Sequence, residues 1–189
     1  MADSEVRRRS WPARLESPMW EAQPNAGHRA LVSLERCGRL DTLVTQNIDG
    51  LHRKAGNDPA RTIEIHGTAL DVVCMACGDR QPAGPVHERV RAGESDPSCV
   101  HCGGILKSAT ISFGQNLVAE DLARAERAAQ SCNLLLAVGS TLSVFPMAGL
   151  VPIAGSHGAP LVIVNGGPTD RTPWTTWRKC RPSWPSGGA

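Results

Sequence analysis

The chain has 189 residues, 41% of them hydrophobic and 20% charged, with a formal net charge of +2, a composition able to bury a globular core. That balance excludes an electrostatic footprint for nucleic acid, because Arg7-Arg8-Arg9 is the one basic run and reads as a solvated helix face. No stretch reaches the ~18 apolar residues of a membrane span and "MADSEVRRRSW" has no apolar signal region, so a cytoplasmic protein without membrane or nucleic-acid partners is expected.

The first predicted helix is "NAGHRALVSLERCGRL", where Ala30, Leu31, Leu34 and Cys37 recur at helical spacing between an Asn25 N-cap and a Gly38 stop. A strand over "TLVTQ", a short helix near Leu51 to Ala55 and a strand over "TIEI" (Thr62 to Ile65) follow. From about Val72 to Leu106 the sequence turns to Gly, Pro and Cys with little periodicity, the mark of an inserted module. Alternation then resumes with a helix "AEDLARAERAAQ", a strand "NLLLAVG", a loop "STLSVFP", a proline-containing helix "MAGLVPIAG" and a strand "PLVIVN". Continuous apolar strands alternating with helices predict a parallel sheet with right-handed crossovers, buried on both faces.

Seven cysteines are an odd number in a chain too large to need a disulfide framework, and four of them form Cys74-Met75-Ala76-Cys77 and Cys99-Val100-His101-Cys102. Each pair can place two thiolates on one tetrahedral ion, and Gly78, Gly103 and Gly104 permit the tight backbone of a zinc ribbon. Cys74, Cys77, Cys99 and Cys102 leave no coordination position open, so the zinc is expected to be structural. His101 reads as a solvated neighbour. Cys37, Cys132 and Cys180 lack partners at ligand spacing, and the first two read as small core residues.

Ligands of open parallel sheets bind beyond the carboxyl ends of the strands, and four polar clusters fall at such ends. They are Gln46, Asn47 and Asp49; "HGT" (His66 to Thr68); "GSTLS" (Gly139 to Ser143); and "NGG" (Asn165 to Gly167). Small residues and hydroxyls directly before a helix suit a phosphate, because backbone N–H groups and the helix dipole favour an anion there. Singly, each also reads as a turn or a cap. Their joint occurrence around a zinc ribbon carries the weight.

With "TQNIDGLH", "EIHGT", the four cysteines, "ISFGQ", "GSTLSVFP" and "VN" in this order, the chain resembles the sirtuins, NAD-dependent protein deacylases, from about Trp11 to Thr169, and looks closest to their bacterial members. The resemblance implies an α/β fold in which residues 1–71 and 107–172 form a Rossmann-like NAD-binding domain and residues 72–106 a zinc-binding module. It implies a reaction in which the acyl oxygen of a modified lysine attacks the anomeric carbon of the NAD ribose, releases nicotinamide and forms an alkylimidate. A histidine base then deprotonates a ribose hydroxyl, and water completes the transfer to give free lysine and O-acyl-ADP-ribose. On this resemblance His66 is the base, a role suited to imidazole near neutral pH, and Asn47 the second catalytic residue. Asn47 and Asp49 would position the nicotinamide amide and a water, Gln46 the ribose, Gly139, Ser140 and Thr141 the phosphates and ribose, and Asn165 the adenosine ribose. Phe113, Gly114, Leu142, Ser143 and Val144 would take the substrate peptide as an added strand, with Ile111 and Phe113 lining the acyl-lysine tunnel. The implied cofactors are NAD, as co-substrate, and structural zinc; the implied partners are acyl-lysine proteins or peptides.

Three departures qualify the resemblance. Gln115 stands where most sirtuins carry Glu, which predicts a modest change in peptide contact. No match exists for the Gly-Ala-Gly loop or the Pro-Asp-Phe-Arg segment. The first strand and half of the NAD site are thus expected to be missing, with weak NAD binding and low turnover. After Thr172 the tail "PWTTWRKCRPSWPSGGA" (173–189) is irregular, while its shifted reading frame is compatible with a helix-like string, so a frameshift near Pro173 is expected. One alternative is a catalytically impaired remnant acting as a zinc-containing binding module. A second, a zinc-ribbon nucleic-acid binder, is disfavoured by the near-neutral charge.

Overall fold

Asp3 starts the first helix, α1 (Ser4–Leu15), by accepting the Glu5 N–H on its side chain, a capping contact that satisfies one of the unpaired donors of a helix N-terminus. This is a computed structural model, and it describes residues 3–112, 114–167 and 169. Phe113, Cys180, the irregular tail and the expected frameshift lie outside the described residues. The chain divides into two compact units, Met1–Leu122 and Ala123–Ala189.

In the first unit α2 (Ala26–Arg36) opens on a capping box in which Asn25 and His28 exchange side-chain and backbone hydrogen bonds. It stops where Gly38 turns with a positive φ. Strand β1 (Leu43–Thr45), the short helix α3 (Leu51–Ala55) and strand β2 (Thr62–Glu64) follow. β1 and β2 run parallel, with Leu43 opposite Thr62 and Thr45 opposite Glu64. The chain then builds an antiparallel sheet in the order β4-β3-β5, from β3 (Gly67–Cys74), β4 (Arg80–Pro82) and β5 (Leu106–Thr110), with a register shift in the β3–β5 ladder between Gly67 and Val72. Helix α4 (Ala83–Arg91) packs on β3.

The core of this sheet is Trp11, Val72, Cys74, Ala83, Val86, Cys99 and Leu106. Trp11 belongs to α1, so the N-terminal helix helps to close the cysteine-bearing module. The expectation that Arg7-Arg8-Arg9 is a solvated face is corrected at one position. Arg8 and Arg9 are exposed, but Arg7 is buried and forks onto Asp96, with Nε at 3.0 Å and Nη2 at 2.7 Å from the carboxylate.

α2 exists as predicted but buries a different stripe. Val32 is its buried residue, whereas Ala30, Leu34 and Cys37 are exposed. Other contacts of α2 are polar: the His28 ring lies 4.8 Å from that of His52, and the Glu35 carboxylate accepts from Asn57 Nδ2 at 3.0 Å and from the Asp58 N–H at 2.8 Å. Cys37 is therefore no core residue. Its thiol donates to the Ser33 carbonyl at the end of the helix.

Helix α5 (Ala119–Ser131) leads into the second unit, where β6 (Leu135–Val138) and β7 (Leu161–Val164) pair in parallel around α6 (Leu150–Ser156), which follows a 3-10 turn over Met147–Gly149. Ala129, Ala154 and Ala159 form the core of this unit, with Cys132, Leu135, Leu150 and Ile153 against it. Of the two faces of the β6–β7 pair, Leu135 and its row turn to that core, while Leu136, Val138, Val162 and Val164 are exposed. In this pair the prediction of a sheet buried on both faces thus holds for one face only, whereas no strand residue of β1 or β2 is exposed. None of the described helices is long and apolar enough to cross a membrane.

Candidate functional site

In both units the polar residues singled out from the sequence collect at the carboxyl ends of parallel strands. After β1, the buried Thr45 accepts the Asn47 N–H on Oγ1 at 3.1 Å, which bends the chain out of the sheet. Asn47 is left exposed. Asp49 Oδ1 accepts the N–H of Leu51, the first residue of α3, at 2.9 Å. The His52 imidazole in that helix is held below its ordinary pKa, first by burial and then by the neighbouring His28 ring.

His66 occupies the turn between β2 and β3. Its Nδ1 lies 3.1 Å from the Gln46 carbonyl oxygen. Since a carbonyl only accepts, Nδ1 carries a proton, which leaves Nε2 as the ring atom able to take up or give one. The His66 carbonyl accepts the Ile111 N–H at 2.9 Å, so the segment after β5 hangs directly on the histidine. Close approach here depends on Gly67. At φ +73° it brings its backbone against β5, and a Cβ would stand 2.1 Å from the Ala109 carbonyl oxygen. Two residues before His66, burial raises the Glu64 carboxyl pKa although Arg53 stands at 3.6 Å.

β3 carries the chain from this turn to Cys74. The Sγ atoms of Cys74, Cys77, Cys99 and Cys102 all lie within 4.8 Å of one another, a donor set suited to one tetrahedral zinc. Backbone N–H groups of Cys77 and Ala76 bring the Cys74 thiol down to about 6, while the Cys77 and Cys102 thiols are pushed up. Gly104 has no room for a side chain, since a Cβ would sit 2.8 Å from Cys74 Sγ and 3.1 Å from Cys102 Sγ. His101 points outward, with Asp79 at 3.7 Å, as expected of a solvated neighbour.

In the second unit Gly139, at the end of β6, donates its N–H to the Val164 carbonyl at 2.8 Å. Ser140 Oγ accepts the Leu142 N–H at 3.1 Å, and the Thr141 and Ser143 hydroxyls lie 2.7 Å apart. Leu142 adopts φ 57°, a left-handed conformation that L side chains rarely take. This constrained loop leaves Thr141, Ser143 and Val144 exposed. Asn165, after β7, donates from Nδ2 to the Gly167 carbonyl at 3.2 Å.

Thus Gln46, Asn47, Asp49, His66, Ile111, Gly114 and the four cysteines belong to the first unit, and Gly139, Ser140, Thr141, Ser143, Val144 and Asn165 to the second. Two contributors escaped the sequence reading. Thr45 gave no signal beyond its place at a strand end. Lys107, a buried lysine in β5, donates to Gln115. Gln115, expected to bear on the peptide contact, accepts from this lysine on Oε1 at 3.0 Å.

The model of the Sir2 family matches residues 2–146. NAD-dependent protein deacetylase 2 of Streptomyces coelicolor is 48% identical over 169 residues, covering 89% of this chain and 70% of the relative. NAD-dependent protein deacetylase 1 of Bradyrhizobium diazoefficiens is 39% identical over 173 residues, covering 90% and 68%. Among solved structures, a Sir2 complex with p53 peptide and NAD superposes with a TM-score of 0.84 at 32% identity, over 89% of this chain and 70% of that one. Sir2Tm bound to a propionylated peptide gives the same score and identity, over 89% and 71%.

Proposed function

This chain belongs to the Sir2 family, and from that premise we infer that it is an NAD-dependent protein deacylase that removes acetyl and other short acyl groups from lysine. NAD, when bound, would supply an electrophilic ribose carbon with nicotinamide as its leaving group and, as ADP-ribose, the acceptor for the acyl group. The residues supply everything else. His66 is the general base: its Nδ1–H is tied to the Gln46 carbonyl at 3.1 Å, so Nε2 is presented to take a proton from a ribose hydroxyl. That contact between His66 Nδ1 and the Gln46 carbonyl is the observation that carries the reading.

Asn47 and Asp49 are assigned to the nicotinamide amide and its water, and Gln46 to the ribose. Gly139, Ser140 and Thr141 serve the phosphates and ribose, and Asn165 the adenosine ribose. Ile111, Phe113, Gly114, Ser143 and Val144 take the acyl-lysine peptide. The four cysteines hold a zinc that shapes the fold without touching substrate. In domain terms, residues 1–71 and 107–172 are read as the NAD-binding part and 72–106 as the zinc module. A cytoplasmic setting, where free thiols stay reduced, suits this cysteine chemistry.

The test uses the metal-loaded chain in excess over an acetyl-lysine peptide, with mass spectrometry of the peptide. Loss of the acetyl group only when NAD is present is expected, and His66→Ala is expected to slow it about 10²-fold or more. Acetyl loss without NAD, or an undiminished rate in His66→Ala, overturns the assignment.

A further inference from the structure

Lys107 is 8% exposed, yet carries an ammonium into the interior of the first unit. Its Nζ donates to the Thr110 carbonyl at 2.8 Å and to Gln115 Oε1 at 3.0 Å. The same Oε1 accepts the Ser112 N–H at 3.3 Å, and the Gln115 N–H returns to the Ser112 carbonyl at 2.9 Å. Among the described residues no carboxylate lies within ion-pair distance of this lysine. Burial, with Arg14 nearby, pushes its pKa below the ordinary lysine value.

A buried cation held only by neutral oxygens is a poor source of stability, because desolvation offsets most of what the hydrogen bonds return. A methionine of similar length would fill the same volume without that penalty. What the ammonium does achieve is geometric. It gathers Thr110 and Gln115 onto one atom, while Gln115 holds Ser112 and the His66 carbonyl holds Ile111. The backbone at Ile111 and Ser112 is therefore held between two anchors, Lys107 through Gln115 on one side and the His66 carbonyl on the other.

We propose that Lys107, acting through Gln115, is a positioning residue that sets the path of the backbone at Ile111 and Ser112 and thereby the affinity for the acyl-lysine peptide. The inference rests on the deacylase reading of that segment. It makes no claim on the chemical step, so it separates peptide affinity from turnover.

The experiment compares the metal-loaded parent chain with Lys107→Met, Lys107→Arg and Gln115→Leu. Lys107→Met and Gln115→Leu are expected to raise the KM for an acetyl-lysine peptide about tenfold, the scale of one lost charge-assisted hydrogen bond. In both, kcat and the KM for NAD stay within about twofold of the parent, and Lys107→Arg recovers part of the affinity. Amide hydrogen exchange is measured on the same proteins, with faster exchange at Ile111 and Ser112 expected in the two disrupting variants. Unchanged exchange there and an unchanged peptide KM sink the inference, as does an equal fall in kcat with both KM values raised. If the parent shows no NAD-dependent deacetylation, the deacylase reading and peptide role fail together, while exchange still decides whether Lys107 shapes the segment. Should Lys107→Met fail to fold, Gln115→Leu, at an exposed position, decides alone.

Discussion

At Gly67 the backbone of β3 touches that of β5, and any side chain there would collide with a carbonyl oxygen that cannot swing aside. Gly67→Ala combines that clash with a strained positive φ, and is expected to destabilise the chain by about 2 kcal/mol or more, read from urea unfolding at constant m. His87 supplies a second residue-scale prediction. Its imidazole lies edge-on to Trp20, with ring centroids 4.9 Å apart, and to Trp11 at 6.5 Å. Burial lowers its pKa first, Arg91 and Arg14 add to that, and Glu88 opposes it. The unfolded chain therefore takes up the proton more readily than the folded one. The His87 contribution to stability is complete above the unfolded imidazole pKa and is lost as pH falls through and below it. Melting temperature is expected to drop between pH 7.5 and 5.5, and less steeply in His87→Phe. His66 could be singled out from "EIHGT" because it follows a strand, but its partner could not. The hydrogen bond of its Nδ1 goes to a backbone carbonyl twenty residues earlier, and a carbonyl leaves no mark on the residue type.

Helix α1, legible in the sequence only as a helix face at Arg7-Arg8-Arg9, shows why the buried side of an element can stay hidden until it is folded. Its buried residues are Arg7 and Trp11, one turn apart, so the inward stripe is half cationic and yields no apolar period. Pro12 within it reads as a breaker. Helix α4 is the opposite case. Ala83, Val86, His87 and Val90 do recur at helical spacing and face the core, but Gly84 and Pro85 at its start disguised it as loop. A proline in the first turn forfeits only an N–H that has no helical partner. The elements with ordinary caps and longer periods were legible, as α2 and α5 show, and so were both parallel strand pairs. Trp11→Ala would empty the centre of the cysteine-bearing core, with an expected cost of about 3–5 kcal/mol in denaturant unfolding. The same variant should lose zinc more readily to a competing chelator, because Cys74 and Cys99 share that core.

Across the whole chain, stability is divided between the two units by different means: the first has thiol ligands as part of its core, while the second has small alanine contacts between α6 and its neighbours. Ligation and folding of a zinc module are coupled. A strong chelator is therefore expected to accelerate hydrogen exchange over Gly67–Cys74, Ala83–Arg91 and Leu106–Thr110, and in α1 through Trp11. The β6–β7 pair should exchange at its former rate. Metal analysis should return one zinc per chain, and none after Cys74→Ser combined with Cys99→Ser. The exposed row Leu136, Val138, Val162 and Val164 marks the limit of what hydrophobic pattern conveys at this scale. A continuous apolar strand states that both faces avoid water, without stating which segment does the covering.

The eight residues of β3 join the proposed base to the first metal ligand. His66 stands one residue before the strand and Cys74 ends it, so events at the thiols have a direct covalent route to the turn that orients the imidazole. An alkylating agent or oxidant that attacks the cysteines should therefore register in an activity assay as an inhibitor, although it never approaches the substrate. Its signature is loss of activity in step with zinc release, undiminished by saturating peptide. A reagent screen against this chain that omits a metal-release control would mistake sabotage of the scaffold for occupancy of the site.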